Sequence, residues 1–398
     1  MNILFISIGG NFDLNTHGIY TDLIREFIKD GHSIHIACAN QASDAVTELH
    51  QKEAVSILRI ASGKLTKTSL IKKGIATLLV EPRFQSAIKK HLGNVKYDMI
   101  IYTTPPITFY RAVKFIKKRD GATTYLLLKD IFPQNAVDIG MMRKSGVKGL
   151  LYRYFRQKEK KLYAISDRIG CMSQANVDYV LRHNPEVPAE KVEICPNAIE
   201  IQDMSITNSQ RAEIREKYGI PLDKTVFVYG GNLGRPQGIP FIMECLKTQV
   251  NNPDAYFLLV GDGTEFGKLE AFFAGINAPN MKLMKKLPKE DYDRMVAACD
   301  VGLIFLDHRF TIPNFPSRLL AYMQAGLPVL ACTDPNTDIG KVITEGGFGW
   351  WCESNDTEAF GKAVADAVQA DRAAMKDAEM TYLKEHYTSE ICYRTIMR

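Results

Sequence analysis

Short apolar runs rich in Ile, Val and Leu recur along the chain, each separated from the next by a longer stretch of helical periodicity. Ile3–Ile6 leads through a glycine-containing loop into a helix from Gly18 to Asp30, and Ser33–Cys38 follows as a second strand. Met99–Tyr102, Thr124–Leu128, Arg168–Met172 and Val192–Cys195 continue the series. Strands that are apolar throughout and alternate with helices predict a parallel sheet covered on both faces. That is the α/β, doubly wound architecture.

The pattern then restarts. Val226–Tyr229 runs into Gly230-Gly231-Asn232-Leu233-Gly234 and a helix from about Pro240, and Tyr256–Val260 ends in Gly261-Asp262-Gly263. Met281–Met284, Val301–Phe305 and Val329–Ala331 follow with helical segments between them. A chain of 398 residues is longer than one core usually supports. Two Rossmann-like halves are therefore expected, residues 1–200 and 224–375, joined by the polar stretch 201–223. Residues 376–398 read as a C-terminal helix packing back towards the first half. Two such sheets facing each other leave a cleft at their strand C-termini, where these folds bind ligands.

Composition changes this picture little. The net charge of +5, from 50 basic and 45 acidic residues, is too mild to imply nucleic acid. The eight cysteines never form C-x-x-C, and no His/Cys cluster has metal-ligand spacing, so no metal is expected. No apolar run reaches the roughly 18 residues of a membrane span, and the N-terminus reads as a strand rather than a signal peptide. A cytoplasmic protein is expected.

Placement of the charge matters more. Met141–Lys161 carries Arg143, Lys144, Lys148, Arg153, Arg156, Lys158, Lys160 and Lys161 against Glu159 alone, interleaved with Met141, Met142, Leu150, Leu151, Tyr152, Tyr154 and Phe155. It reads either as a surface for anionic lipid on the inner face of the cell membrane, or as a solvated helix face over an ordinary core stripe.

Candidate chemistry concentrates in Ile312–Val329. Asn314, Phe315 and Pro316 lead into Ser317, a good N-cap, and Gly326 ends the helix before Pro328. Helix N-termini suit phosphate. Arg318 in the first turn opposes the dipole and would be odd without an anion beside it. The alternative is an ordinary loop-helix unit with a surface arginine. Gly230–Gly238, with Gly231, Asn232 and Arg235, would let the backbone approach a diphosphate, or is a turn with a solvated arginine. Gly9, Gly10, His17 and Gly18 flank the loop after the first strand, and either admit a ligand close to the backbone or form a flexible surface loop. Asp130 ends the apolar strand Tyr125–Leu128 and should point into the cleft, unless it caps the following turn. Glu159 reads as an ion-pair partner. Asp291-Tyr292-Asp293 matches a D-x-D metal pattern but reads as an acidic first helical turn.

The run Pro316–Ala331 resembles the signature of the retaining family 4 glycosyltransferases of GT-B fold, and more narrowly the WbuB-like group that builds O-antigen and capsule units. Tyr102-Thr103-Thr104-Pro105-Pro106, Lys129-Asp130-Ile131-Phe132-Pro133, Cys171-Met172-Ser173, Pro196-Asn197, Tyr229–Gly234 and Leu259–Gly263 agree with it in order along nearly the whole chain. The resemblance implies a UDP-sugar donor, no further cofactor, and transfer of a sugar, an N-acetylhexosamine or deoxy derivative among the candidates. The basic segment suits an acceptor carried on a polyprenyl diphosphate. Arg235 and Arg318 would neutralise the leaving diphosphate, the work a metal does in other transferases. Gly261 would shape the donor pocket, and the backbone around Leu287 would meet the nucleobase. Asp130 would position the sugar or stabilise positive charge at its anomeric carbon. The sequence departs from the family at Pro313 and Ala321, which stand where the family carries Glu-x7-Glu. A UDP-sugar epimerase and a catalytically silent partner subunit of the same fold are the alternatives.

Overall fold

The computed structural model describes residues 1–9, 12–42, 44–52, 54–63 and 70–398. They fall into two compact units, Met1–Glu200 with Ser389–Arg398, and Ile201–Thr388.

The first unit runs β1 (Asn2–Ser7), α1 (Ile19–Lys29), β2 (Ser33–Asn40), β3 (Glu48–Lys52), β4 (Val55–Ala61), α2 (Leu70–His91), β5 (Met99–Thr103), α3 (Tyr110–Asp120), β6 (Thr123–Leu128), α4 (Gln134–Asp138), α5 (Gly146–Ile165), β7 (Arg168–Cys171), α6 (Gln174–His183) and β8 (Val192–Ile194). Its sheet has the order β3-β4-β2-β1-β5-β6-β7-β8, parallel except for the β3/β4 pair. Ile3, Phe5, Ile101 and Leu127 lie in its core.

The second unit runs α7 (Asn208–Tyr218), β9 (Thr225–Asn232), α8 (Ile239–Thr248), β10 (Ala255–Asp262), α9 (Phe266–Gly275), β11 (Met281–Lys285), α10 (Lys289–Ala297), β12 (Val301–Phe305), α11 (Arg318–Ala325), β13 (Val329–Thr333), α12 (Ile339–Glu345), β14 (Gly349–Glu353), α13 (Thr357–Gln369) and α14 (Arg372–His386). The order is β11-β10-β9-β12-β13-β14, and the printed pairings are all parallel. Phe227, Tyr229, Leu259, Leu303 and Leu330 are fully or almost fully buried between its helix layers. In this unit β9 sits between β10 and β12, so the strand order reverses beside it. Such a switch point leaves a crevice at the carboxyl ends of the strands, the usual ligand position in open α/β sheets.

Two boundaries differ from the sequence expectation, and three strands are added to it. Residues 201–223 are not a bare linker: α7 forms there under a Thr207/Gln210 capping box. Arg215, 2% exposed, donates to the Ala298 carbonyl at 2.8 Å and to Asp300 Oδ2 at 2.5 Å, which binds the segment into the second unit. At the other end α14 packs on α11 within the second unit. Only α15 (Ser389–Met397) is counted with the first, where it packs on α1 and the Ser389 amide donates to the Ile199 carbonyl at 2.9 Å. The β3/β4 hairpin and β14 were not read as strands. Glu48, His50 and Lys52 make β3 too polar for an apolar-run search, and β14 is Gly-Trp-Trp-Cys-Glu.

Candidate functional site

The carboxyl edge of the second sheet gathers the segments that the sequence singled out. β9 ends in Gly230-Gly231-Asn232, β10 in Gly261-Asp262, and α11 begins at Arg318 in the connection after β12. Gly326 adopts φ +66° and closes α11 as expected. Ser317 occupies the N-cap position, but with helical backbone angles and no side-chain bond to the helix amides. The orphan amides of α11 are therefore not satisfied by its hydroxyl.

Arg318 lies against an aromatic ring. Its guanidinium carbon lies 4.1 Å from the Tyr229 ring centroid. Burial opposes its charge, and the groups that favour it are the phenols Tyr229, Tyr322 and Tyr292. Nε is buried without a hydrogen-bond partner. Among the described residues no carboxylate forms an ion pair with it. A half-buried cation with neutral walls is an unfinished electrostatic arrangement, and an anion completes it.

The two glycines at the end of β9 serve this arrangement directly. A Cβ at Gly230 would fall 1.7 Å from the Tyr292 hydroxyl oxygen. Gly231 has φ +124°, and a Cβ there would lie 2.9 Å from Arg318 Nη2. The sequence reading had the glycines admitting a diphosphate to the backbone; in the structure the room is taken by Tyr292 and Arg318. Gly261 packs against the β9 backbone, since a Cβ there would meet the Gly231 carbonyl oxygen at 2.0 Å. Its role is shape.

The other expected donor residues divide. Asn232 Nδ2 donates to Gln237 Oε1 at 3.1 Å, and the Gly234 amide donates to the same oxygen, so Gln237 closes the loop. Arg235 is exposed and its Nε lies 3.7 Å from Glu265, so it is linked to an acid where Arg318 is not. Leu287 is half-buried after β11. The Asn314 carbonyl accepts from Thr337 Oγ1 at 2.5 Å, while its Nδ2 is buried without a partner. Phe315 is 4% exposed against Tyr387, so its ring belongs to the core rather than to a ligand surface. Pro316 accepts from the Leu319 amide. Pro313 is buried and Ala321 exposed, and neither side chain offers an acceptor. The tyrosines were missed. Tyr229 precedes the glycine pair, but nothing in the spacing of Tyr292 or Tyr322 marks them. Asp291 and Asp293 pair with Lys217 and Lys289 on the surface, as an acidic first turn does.

In the first unit Asp130 follows β6. Its Oδ1 accepts from Asn135 Nδ2 at 2.6 Å, and its backbone amide and carbonyl both engage Thr104 Oγ1 at 3.2 Å. Burial raises its pKa to about 6, against the hydrogen bonds from Asn135 and the Ile131 amide. Its hydrogen-bond partners are neutral. Glu159 is 3% exposed and pairs with Arg156 at 2.6 Å, as its sequence setting suggested.

The loop after β1 is closed by charge. Gly9 donates to Ser7 Oγ at 3.1 Å, and Gly10 lies outside the described residues. Gly18 donates to Asp22 Oδ1 at 3.0 Å. His17, Asp22 and Glu200 converge as a three-ligand group, but Arg25 already fills it. The guanidinium binds Asp22, Glu200 Oε2 at 2.9 Å and His17 Nδ1 at 2.7 Å. His17 is thus part of a structural ion cluster.

On α5, Leu150, Leu151 and Tyr154 are exposed, at 61%, 48% and 39%. Arg156, Lys158 and Lys160 pair with Glu159, Glu81 and Glu186. Among the described side chains, the outward charge therefore falls to Arg143, Lys144, Arg153 and Lys161, all exposed.

Comparison with known proteins matches both units. Residues 19–203 match the model "Glycosyltransferase Family 4", and residues 210–382 match "Glycosyl transferases group 1". The chain is 25% identical over 327 residues to the probable glycosyltransferase WbjE of Pseudomonas aeruginosa, covering 82% of this chain and 79% of that one. It is 23% identical over 342 residues to the putative colanic acid biosynthesis glycosyl transferase WcaI of Escherichia coli K12, covering 79% and 82%. Among solved structures, sucrose-phosphate synthase from Thermosynechococcus elongatus superposes with a TM-score of 0.74 at 15% identity over 99% of this chain and 97% of its own. Anabaena HepE, solved with UDP-glucose, gives 0.67 at 15% identity over 100% and 98%. At these identities the structural likeness establishes the fold.

Proposed function

Since the chain belongs to the family 4 glycosyltransferases of GT-B fold, we propose that it moves a sugar from a UDP-sugar to a lipid-linked acceptor in cell-surface polysaccharide synthesis, with retention, as in the WbuB-like group. The observation that carries the donor half is Arg318, a cation set in neutral aromatic walls at the switch point of the second sheet. Two phosphates would supply the missing countercharge and stabilise there as the leaving group departs. Arg235 adds a weaker, solvent-screened charge. The UDP-glucose complex of HepE and the colanic acid role in the name of WcaI support the substrate class.

In the first unit, Asp130 is the group assigned to the reacting sugar. A carboxylate without a cationic hydrogen-bond partner is suited to stabilising positive charge as it develops at an anomeric carbon. The exposed apolar and basic residues of α5 are assigned to an anionic membrane surface, where a polyprenyl diphosphate acceptor would reside. Binding to anionic vesicles should fall as salt rises, and equal retention on neutral vesicles would contradict that assignment.

Pro313 and Ala321 favour a second reading, a silent partner subunit, because no side-chain acceptor stands at either position. Incubating the purified chain with a series of UDP-hexoses and UDP-N-acetylhexosamines separates the two. Release of UDP from one of them supports transferase chemistry, and release from none, with or without lipid acceptor, points to the silent subunit.

A further inference from the structure

We infer that Tyr229, Tyr292 and Tyr322 form an uncharged collar that holds Arg318 ready for the donor diphosphate, with Tyr292 as the positioning residue that sets the guanidinium's place. The inference rests on the donor reading above and adds residues that the sequence did not suggest.

The three tyrosines arrive from three elements and each does a different thing. Tyr322, in the second turn of α11, is fully buried. Its hydroxyl lies 3.1 Å from the Val228 carbonyl and 3.2 Å from the Leu303 carbonyl, and the Gly230 amide donates to it at 3.2 Å. It ties the helix that bears Arg318 to both strands at the switch point. A Cβ at Gly302 would fall 2.4 Å from its ring, so β12 also lacks a side chain in order to seat it. Tyr229 gives the guanidinium a ring face at 4.1 Å, and its own hydroxyl donates to the Asn232 carbonyl at 2.8 Å. That bond holds the end of β9 under the arginine.

Tyr292 comes from α10, whose neighbouring positions Asp291 and Asp293 make surface ion pairs. Its phenol lies so close over Gly230 that no side chain could stand there. It packs on the end of β9, where the next residue, Gly231, leaves room for Arg318 Nη2. Gly230 is therefore the socket of Tyr292, as Gly231 is the socket of Arg318.

The chemistry of the walls is what matters. A carboxylate in any of these three places would pair with the guanidinium and have to be displaced by phosphate. Open water would leave a long side chain free to wander among rotamers. Aromatic faces attract a guanidinium more weakly than a carboxylate does. They therefore fix its position and release its charge to the incoming anion. The collar preorganises the site before the donor arrives, which is where binding gains most.

Calorimetric titration of UDP, with uridine followed by ligand-observed NMR, onto wild type, Tyr292→Phe, Tyr292→Leu and Gly230→Ala tests this. The collar requires Tyr292→Phe to hold UDP within about threefold of wild type, because the ring wall remains. Tyr292→Leu should lose at least tenfold in UDP affinity with uridine binding unchanged, since only the diphosphate depends on Arg318. Gly230→Ala should copy Tyr292→Leu by pushing the ring aside. Thermal unfolding identifies any variant that has lost its fold, and Gly230→Ala, which displaces the ring without removing it, decides the matter if Tyr292→Leu is such a variant. A Tyr292→Phe variant as impaired as Tyr292→Leu would overturn the wall mechanism. So would equal UDP affinity in all variants, or parallel losses of UDP and uridine. A wild-type chain that binds no UDP would remove the donor reading and the collar together, whereas UDP binding indifferent to Tyr292 removes the collar alone.

Discussion

Arg25 and Arg318 make an instructive pair. Each is a half-buried arginine in a helix at the carboxyl edge of its own unit's sheet, and each serves a loop that the sequence marked for ligand contact. Arg25 pairs with two acids, Asp22, 1% exposed in its side chain, and Glu200 at 2.9 Å, and donates to His17 Nδ1 at 2.7 Å. Arg318 has the Tyr229 ring against it at 4.1 Å and, among the described residues, no acid paired with it. The same residue type thus does two jobs, and the partners decide which. A cation whose charge is already balanced holds structure together; one left with neutral walls is available to a ligand.

The largest effect should come from the balanced one. Arg25→Met leaves Asp22 buried without its cation, and loss of one partner from a buried pair costs about 3–5 kcal/mol. Urea unfolding should register that loss while UDP affinity of the folded fraction stays within about twofold of wild type. A fall in UDP affinity without a stability change would erase the contrast between the two arginines.

Asp130 extends the contrast to an acid, since its side chain leans on Asn135 rather than on a cation. Asp130→Asn should reduce turnover by about a hundredfold with little change in UDP affinity. Burial raises the folded pKa to about 6, so the carboxylate is ionised above that pH and protonated below it. Wild-type turnover should therefore fall as pH drops from 7 to 5, and the residual activity of Asp130→Asn should not follow that fall. The same shift bears on stability with the opposite sense: a raised carboxyl pKa costs stability as pH climbs from the ordinary value of about 4 through 6. A wild-type profile flat over that range would remove Asp130 from the chemistry.

The smallest effect belongs to Arg235. It is exposed and shares Glu265 with Lys268. Arg235→Ala should lower UDP affinity by about two- to threefold, more at low salt than at high. A loss as large as that of Arg318→Ala would mean that exposure and an acidic neighbour do not weaken a cation here.

The sequence made the two doubly wound sheets legible because buried parallel strands are apolar at every position, as Val226–Tyr229 and Leu303–Phe305 are. It hid β3, whose alternate residues are polar, and α7, whose polar surface resembled a linker although Arg215 is one of the largest fully buried side chains. At the candidate site, Arg318 and Gly231 stood out through local rules of helix caps and glycine loops. Tyr292 did not, because its importance lies in meeting Gly230 from 62 residues further along the chain, by subtraction of the two positions. Phe315 stood out for the wrong reason: proximity to the helix start suggested a ligand contact, and tertiary packing against Tyr387 claimed it for the core. His17 was likewise drawn into the Arg25 cluster, through contacts with Asp22 and Glu200 that no local pattern encodes.

The central claim is that Arg318 carries an unbalanced charge meant for a diphosphate. Calorimetric titration of UDP onto wild type and Arg318→Ala, with uridine as the uncharged control, tests it most directly. The account predicts UDP binding by wild type in the millimolar range or tighter, about a hundredfold loss in Arg318→Ala, which is roughly 2.7 kcal/mol, and equal uridine affinity in both. Equal UDP affinity in the two proteins would contradict it.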